Sequence, residues 1–196
     1  KLIGRLNDPQ AGVVRIDGTA WRPMQYPALR GRLIKRLAAG RPGELLVGTN
    51  AGLVVIDLAS GQALHTLRLQ DTSTDVTALA CSANEIWVGF GRALATFGLE
   101  SPNIQPVTHY ALGSRINDIM VDAHNNAWVA TDTAGLCLVS CLRYAIKRID
   151  IGSPGAVFSI KPQAPGRLDV GGEELYSSLM LSEGGQVQQA HQPAMP

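Results

Sequence analysis

Short apolar runs separated by turn residues recur along the whole chain. The runs are rich in Val, Ile, Leu and Thr, which favour strands, and residues typical of turns bound them. No window long enough for a helix combines helical spacing of apolar positions with capping signals. The pattern therefore predicts an all-β protein built from short strands.

One of these runs returns in the same register four times. In each copy a valine is followed by a small residue, and the copies occupy residues 44–49, 85–90, 126–131 and 167–172. Val47, Val88, Val129 and Val170 are each 41 residues apart. A shortened fifth copy lies upstream, because residues 12–17 parallel residues 52–57 at an offset of 40. The chain is therefore predicted to consist of about five repeats.

Each repeat contains four apolar runs in a fixed order: an inner segment, the Val-Gly segment, and two further strands. Four short strands in a repeat of about 40 residues are the pattern of a propeller blade. We therefore expect a β-propeller over residues 1–190 and a linker or tail over residues 191–196. The expected blades occupy approximately residues 1–32, 33–75, 76–115, 116–156 and 157–190.

The small residue after each valine has a physical reason. Blades converge toward a central axis, and a residue without a large side chain lets neighbouring backbones approach closely there. The four positions are Gly48, Gly89, Ala130 and Gly171. The bulky Trp87 and Trp128 precede the valines and are predicted to form core between blades.

Residues 116–131, followed by Gly135 and Leu136, resemble the two-component-regulator propeller repeat. That repeat has an apolar strand, an Asp, an Asn-rich turn, a Trp-hydrophobic-Gly-Thr segment and a Gly-Leu pair. Residues 46–53 are similar to its second half, whereas Asp169 stands where the resemblance would place a Trp. The resemblance implies a ligand-sensing region of a bacterial signalling receptor, located in the periplasm or otherwise outside the cytoplasm.

Two arrangements of the repeats are open. By this register we expect the given sequence to begin within the second strand of its first repeat, so that either residues 1–6 form a rearranged inner strand or the innermost strand of this repeat is missing. A five-bladed ring could close on itself, or the chain could be part of a larger ring that another copy or another chain completes.

The charge composition limits the classes of binding partner. Lys and Arg total 17 against 16 for Asp and Glu, which gives a net charge of +1. The chain therefore has neither the basic footprint of a nucleic-acid-binding protein nor a polybasic membrane patch. No apolar run is long enough for a transmembrane helix, so we expect no membrane contact by this segment.

No catalytic motif stands out. The sequence has no nucleophile elbow, zinc-protease motif or phosphate-binding loop. Its four histidines fall in rim strands, a turn and the tail. We therefore predict no catalytic residues, no metal and no cofactor. A lyase resembling the antibiotic-inactivating propellers is the residual enzymatic alternative, and it would need a metal and a histidine near the axis.

Binding is predicted at one end of the axis. In a propeller the loops between strands two and three share a face with the loops between strand four and the next strand one, and together they ring the channel mouth. Asp118 begins an inner strand and is expected to point into the channel. The predicted ligand-binding residues are Asn50, Asp75, Arg92, Arg115, Asp118, Asp132 and Glu173. Such a mixture of donors and acceptors suits a small polar ligand or a peptide. The alternative function is a protein–protein interaction scaffold within a larger assembly.

Overall fold

The computed structural model describes residues 13–17, 20–68, 74–82, 85–98, 106–140, 146–151, 155–173, 176–181 and 187–191. Within these ranges the chain forms strands and one short 3-10 turn, η1 (Pro27–Leu29). The prediction of an all-β protein is confirmed.

The strands form one two-stranded sheet and four four-stranded sheets within the described ranges. The two-stranded sheet contains β1 (Val13–Asp17) and β2 (Ala20–Met24). Sheet A contains β3 (Ile34–Ala39), β4 (Glu44–Thr49), β5 (Gly52–Asp57) and β6 (Ala63–Leu67). Sheet B contains β7 (Val76–Cys81), β8 (Glu85–Phe90), β9 (Ala93–Gly98) and β10 (Pro106–Ala111).

Sheet C contains β11 (Ile116–Val121), β12 (Ala127–Thr131), β13 (Leu136–Val139) and β14 (Ile146–Ile149). Sheet D contains β15 (Val157–Ala164), β16 (Arg167–Gly172), β17 (Tyr176–Leu181) and β18 (Val187–His191). In every sheet, strands that are consecutive in the chain pair antiparallel. Each of the last four repeats is thus one four-stranded meander, the arrangement of a propeller blade.

The expected blade boundaries stay predictions, and the described residues include only parts of the two ends of the chain. In the first repeat, β1 occupies the position of a third strand and β2 that of a fourth, so this repeat contributes a hairpin to the described residues. β18 ends at His191, one residue beyond the end expected for the propeller. The described residues form no closed sheet, and the number of blades in a complete ring stays a prediction.

The inner strands β3, β7, β11 and β15 lie beside one another in that order. Each of them shifts its register with the second strand near its own start. The shifts fall between Ile34 and Arg36, Val76 and Ala78, Ile116 and Asp118, and Val157 and Ser159. A β-bulge inserts one extra residue and re-aims the side chains around it. The same bulge therefore recurs at the start of all four inner strands.

Apolar clusters fill the spaces between consecutive sheets. Trp87 of sheet B packs with Ile116 and Val129 of sheet C, and Trp128 of sheet C packs with Leu168 and Val170 of sheet D. The two tryptophan side chains are 2% and 0% exposed. Their predicted role as core between blades is confirmed.

The glycine that follows the repeated valine makes room for a side chain of the next sheet. A Cβ at Gly48 would lie 2.5 Å from Cγ1 of Val76, and a Cβ at Gly89 would lie 2.9 Å from Cγ2 of Ile116. Val76 and Ile116 are the first residues of the next inner strands. At Gly48 and Gly89 the close approach is therefore between the backbone of the glycine and an apolar side chain of the next sheet.

The outward face of sheet D differs from the equivalent faces of the other sheets. Asp169 occupies the position at which sheets B and C carry tryptophan, and its carboxylate accepts hydrogen bonds from Tyr176 Oη at 2.6 Å and Ser178 Oγ at 2.9 Å. Burial by itself raises the pKa of Asp169. Hydrogen bonds to its carboxylate and the charge of Arg167 lower the pKa by a larger amount, so the net pKa lies below its ordinary value. The hydrogen bonds come from Tyr176, Ser178 and Gln163. This face is therefore polar.

Candidate functional site

The loops between second and third strands lie beside the start of the inner strand of their own sheet. The N–H of Asn50 donates to the carbonyl of Leu33 at 3.1 Å, and the N–H of Asp132 donates to the carbonyl of Arg115 at 3.0 Å. In sheet D the N–H of Glu173 makes the equivalent bond with Ala156 at 3.1 Å. These loops are thus held at one end of the sheets by a repeated backbone contact.

A threonine shapes two of these loops. The Oγ1 of Thr49 donates to the carbonyl of Gly52 at 2.7 Å and accepts from the N–H of Ala51 at 3.0 Å. Thr131 makes the same two contacts with Gly135 and Ala134, at 2.8 and 3.1 Å. The threonine in the repeated Val-small-Thr sequence therefore closes the loop, and the side chains beyond it are placed by that closure.

Two of the predicted binding residues, Asn50 and Asp75, lie near the junction of sheets A and B. The Oδ1 of Asn50 accepts from the N–H of Leu33 at 2.9 Å, and Thr74 Oγ1 donates to the Asn50 carbonyl at 3.1 Å. The neighbouring Asp75 forms an ion pair with Lys35 at 2.6 Å. Lys35 was not predicted from the sequence, although it lies at the bulge of β3.

Asn117 and Asp118 use the bulge of β11 to reach the inner edge of sheet D. The Nδ2 of Asn117 donates to the Val157 carbonyl at 2.8 Å, and Oδ2 of Asp118 accepts from the N–H of Ile160 at 3.0 Å. Asn117 thus supplies a donor to a backbone carbonyl of β15, and Asp118 supplies an acceptor to a backbone N–H of the same strand. As an inner strand, β15 has no further strand of the described residues on this side to pair with. The same Asn117 Nδ2 lies 2.8 Å from Oδ1 of Asp132. Asn117 therefore links Asp132 to the edge of sheet D, and Asp118 contacts the same edge.

Arg36 connects sheets that are not neighbours. Its guanidinium donates to the carbonyl of Asn117 at 3.0 Å, past the intervening sheet B, and to the carbonyl of Lys35 at 3.0 Å. In the part of the chain that the structure describes, no carboxylate oxygen lies within 4.0 Å of this guanidinium. Arg36 is half-buried and was not predicted as a site residue.

We define the axial cluster as the polar side chains that these contacts bring together at the starts of the inner strands: Lys35, Arg36, Asp75, Asn117, Asp118 and Asp132. It includes three of the residues predicted from the sequence. The other predicted residues lie around it on the loops. Asn50, Arg92, Arg115 and Glu173 are all exposed. Their roles in binding stay predictions.

Burial raises the pKa of Asp118, whereas the backbone hydrogen bonds from Ile160 and Ile119 and the charges of Arg36 and Lys161 lower it, and the net pKa lies above the ordinary value of 3.8. The carboxylate accepts from Ile119 at 3.0 Å as well as from Ile160. A half-buried acid that contacts two sheets can therefore respond to pH.

We expect the stability advantage of the wild-type protein over an Asp118→Asn variant to increase as the pH falls. Because the folded-state pKa is raised, the folded protein binds this proton more tightly than the unfolded chain. The stabilisation is fully present below the ordinary pKa and is lost as the pH rises through the raised one. Urea denaturation of both proteins at mildly acidic and neutral pH measures the difference. An advantage that decreases on acidification would contradict the assignment.

Two further features are absent from the described ranges. No group of three His, Cys, Asp or Glu side chains there is arranged to hold a metal ion. No helix in the same ranges has the length and apolarity needed to cross a membrane.

Comparisons with known proteins show the fold. No family model matches the chain, and no curated protein matches it in sequence. Two similar solved structures are extracellular domains of proteins described as hybrid two-component systems of B. thetaiotaomicron. The first is 18% identical, with a TM-score of 0.72 over 87% of this chain and 25% of that chain. The second is 21% identical, with a TM-score of 0.71 over 92% of this chain and 25% of that chain.

A third similar structure is the computationally designed Ika8 protein, which is 12% identical, with a TM-score of 0.62 over 81% of this chain and 49% of that chain. The chain spans about a quarter of the length of the two extracellular domains. At these identities the likeness shows the fold alone, which is a propeller-like arrangement of antiparallel β-sheets.

Proposed function

We propose that this chain is a non-enzymatic recognition module, the ligand-sensing region of a bacterial receptor that acts outside the cytoplasm. The axial cluster binds a small polar ligand or a peptide. The observation that carries the proposal is the half-buried guanidinium of Arg36, which is hydrogen-bonded to two backbone carbonyls and has no carboxylate within 4.0 Å among the described residues.

The charges around Arg36 define what the site can accept. Asp132 accepts one bond from Asn117, and Asp75 is held by Lys35. A ligand that carries an acceptor for Arg36 and a donor for Asp132 would be bound by both groups. Charge-assisted hydrogen bonds are stronger than neutral ones, so two such contacts can orient a small molecule. Peptide termini and the side chains of polar peptides carry both kinds of group.

The structural neighbours support the setting of the proposal. Two of them are extracellular domains of two-component systems, and their fold covers most of this chain. We further propose that another chain or another copy continues the arrangement of sheets, since β3 and β15 stand at the two ends of the series of neighbouring inner strands in the described residues.

Binding is tested by titrating the protein with glycylglycine, succinate and maltose while backbone amide signals are followed by NMR. We expect saturable shifts at the starts of β3 and β11 with at least one of these probes. Arg36→Gln should weaken that binding about tenfold, because a hydrogen bond to a charged group contributes on the order of 1.5–3 kcal/mol. The matched control is Arg41→Gln, since Arg41 is exposed in the turn at the opposite end of the same sheet.

Two results would contradict the proposal. One is the absence of any saturable shift at millimolar concentrations of all three probes. The other is binding that Arg36→Gln and Arg41→Gln weaken equally, because the axial guanidinium would then have no special part in it.

A further inference from the structure

A groove lies between sheets C and D at the end opposite to the axial cluster. It has a volume of about 320 Å³. This volume is at the lower end of the range found for small-molecule sites. One wall is the turn between β11 and β12, and the other is the end of β15 with the turn that follows it.

The pairing register places four apolar side chains of these walls in the space between the sheets. Residues directly opposite each other in an antiparallel pair have their side chains on the same face. Met120 is opposite Trp128, which packs against sheet D, and Pro162 is opposite Leu168, which packs against sheet C. Leu181 packs against the same cluster. Met120, Pro162, Leu168 and Leu181 therefore give the groove an apolar surface.

The carboxylate of Asp122 lies on this side of sheet C as well. Its Oδ2 accepts from Nε1 of Trp128 at 3.0 Å and from Nδ2 of Asn126 at 3.1 Å. Its Oδ1 accepts from the N–H groups of His124 and Asn126, both at 2.9 Å. These bonds tie the turn to a buried tryptophan, so this wall is preformed, which lowers the entropic cost of binding.

The charge of this carboxylate has no positive partner within the described residues. All the groups that donate to Asp122 are neutral N–H groups, and no lysine or arginine nitrogen of the described residues lies within 4.0 Å of it. The guanidinium of Arg167 bonds to Ser178 Oγ at 2.7 Å, on the outward face of sheet D. A negative charge beside apolar surface attracts a cation more strongly than it would in bulk water, because the local dielectric is lower.

We propose that this groove binds a small primary amine that has an apolar body. The ammonium group pairs with the carboxylate of Asp122, and the apolar body lies against Met120, Leu168 and Leu181. The site goes beyond the proposed function, because it lies at the other end of the sheets and uses none of the residues of the axial cluster.

The test uses phenethylamine, which is protonated at neutral pH, and 2-phenylethanol as its uncharged equivalent, with amide NMR as the readout. We expect phenethylamine to produce saturable shifts at Met120, Leu168 and Leu181. The alcohol should bind at least about tenfold more weakly, since the charge-assisted contact is lost. Salt at about 1 M should weaken binding of the amine and leave that of the alcohol unchanged.

Two variants assign the effect to one carboxylate. Asp122→Asn should reduce phenethylamine binding to the level of the alcohol. The matched control is Asp57→Asn, because Asp57 also accepts from backbone N–H groups in a turn at this end of the sheets, and it should leave binding unchanged. If the two variants weaken binding equally, the attraction is non-specific and the proposal is overturned.

A further variant keeps the test decisive if Asp122→Asn alters the fold. Leu181→Lys brings an ammonium group of the chain itself to the groove, and it should abolish phenethylamine binding while the thermal transition is retained. Absence of saturable binding, equal affinity for the amine and the alcohol, or binding that survives Leu181→Lys would overturn the proposal. Arg36→Gln should not affect phenethylamine binding, so failure of the axial site and failure of the groove are distinguishable.

Discussion

Replacing Gly48 with alanine should destabilise the protein by about 1–3 kcal/mol, the usual result of overpacking a core. The added Cβ would lie 2.5 Å from Cγ1 of Val76 and 3.1 Å from Cβ of Arg36. An alanine in a strand is otherwise favourable relative to glycine by roughly 0.5–1 kcal/mol, so a net loss can come only from this contact. Urea denaturation of both proteins measures the change in the free energy of unfolding.

The control is the double variant Gly48→Ala, Val76→Ala. Val76→Ala alone should also destabilise the protein, because Val76 is fully buried. If the clash is the cause, the double variant should be more stable than the sum of the two single effects predicts. Additive effects would show that Gly48 is needed for a different reason. Ala130, which occupies the same position in sheet C, shows that the architecture accepts a methyl group where the neighbour permits it.

Replacing Asp122 with alanine should cost about 3 kcal/mol of stability. The substitution removes the acceptor for two backbone N–H groups and for Nε1 of Trp128, and that tryptophan is fully buried. A buried donor without a partner costs on the order of 1–3 kcal/mol, and the turn loses its own bonds as well. The measurement is again the free energy of unfolding, with tryptophan fluorescence reporting the environment of the indole.

Asp57→Ala is the matched control for this substitution. Asp57 also accepts from two backbone N–H groups and a side chain, those of Ala59 and Ser60, but its turn is exposed. We expect a clearly smaller loss there, because water replaces the bonds. Asp122→Asn should lie between the wild-type protein and Asp122→Ala. Equal losses for Asp122→Ala and Asp57→Ala would contradict the role assigned to the Trp128 contact.

The repeated valine and its small neighbour were sufficient to predict the sheets. Their spacing placed β4, β8, β12 and β16 within the correct residues, because one physical demand, a fit against the next sheet, recurs in every repeat. The burial of Trp87 and Trp128 followed from the same alternation. Local patterns of this kind can be recognised in the sequence because they recur in each repeat.

The axial cluster was only partly predictable. The loops were located correctly because they follow the threonine, but Lys35 and Arg36 act through bulges that strand spacing does not show. The sequence did contain a signal for this cluster. Two charged residues, Lys35 and Arg36, lie near the start of β3, and two polar residues, Asn117 and Asp118, lie near the start of β11, at positions where an inner strand is expected to be apolar. The contact from Arg36 to Asn117 joins residues 81 apart, and no pattern within one repeat specifies it.

The extra length of β15 was missed for a related reason. This strand has eight residues, and its second register shift lies between Pro162 and Ala164, where the chain interrupts the repeat instead of following it. Asp169 is a departure that the sequence did reveal, and it marks the polar outward face of sheet D. Both departures lie in the last repeat, where sheet D differs from the other sheets.

The contact from Arg36 to Asn117 also has a consequence for the order of folding. Strands that are consecutive in the chain pair with each other in every sheet, so each meander can form from local contacts. The bond between Arg36 and Asn117 closes a loop of 81 residues, and this loop contains the whole of sheet B. The entropy cost of closing this loop is offset only after sheet B has formed and has brought Arg36 and Asn117 close together. Arg36 should therefore engage late, after the transition state, and its loss should speed unfolding more than it slows folding.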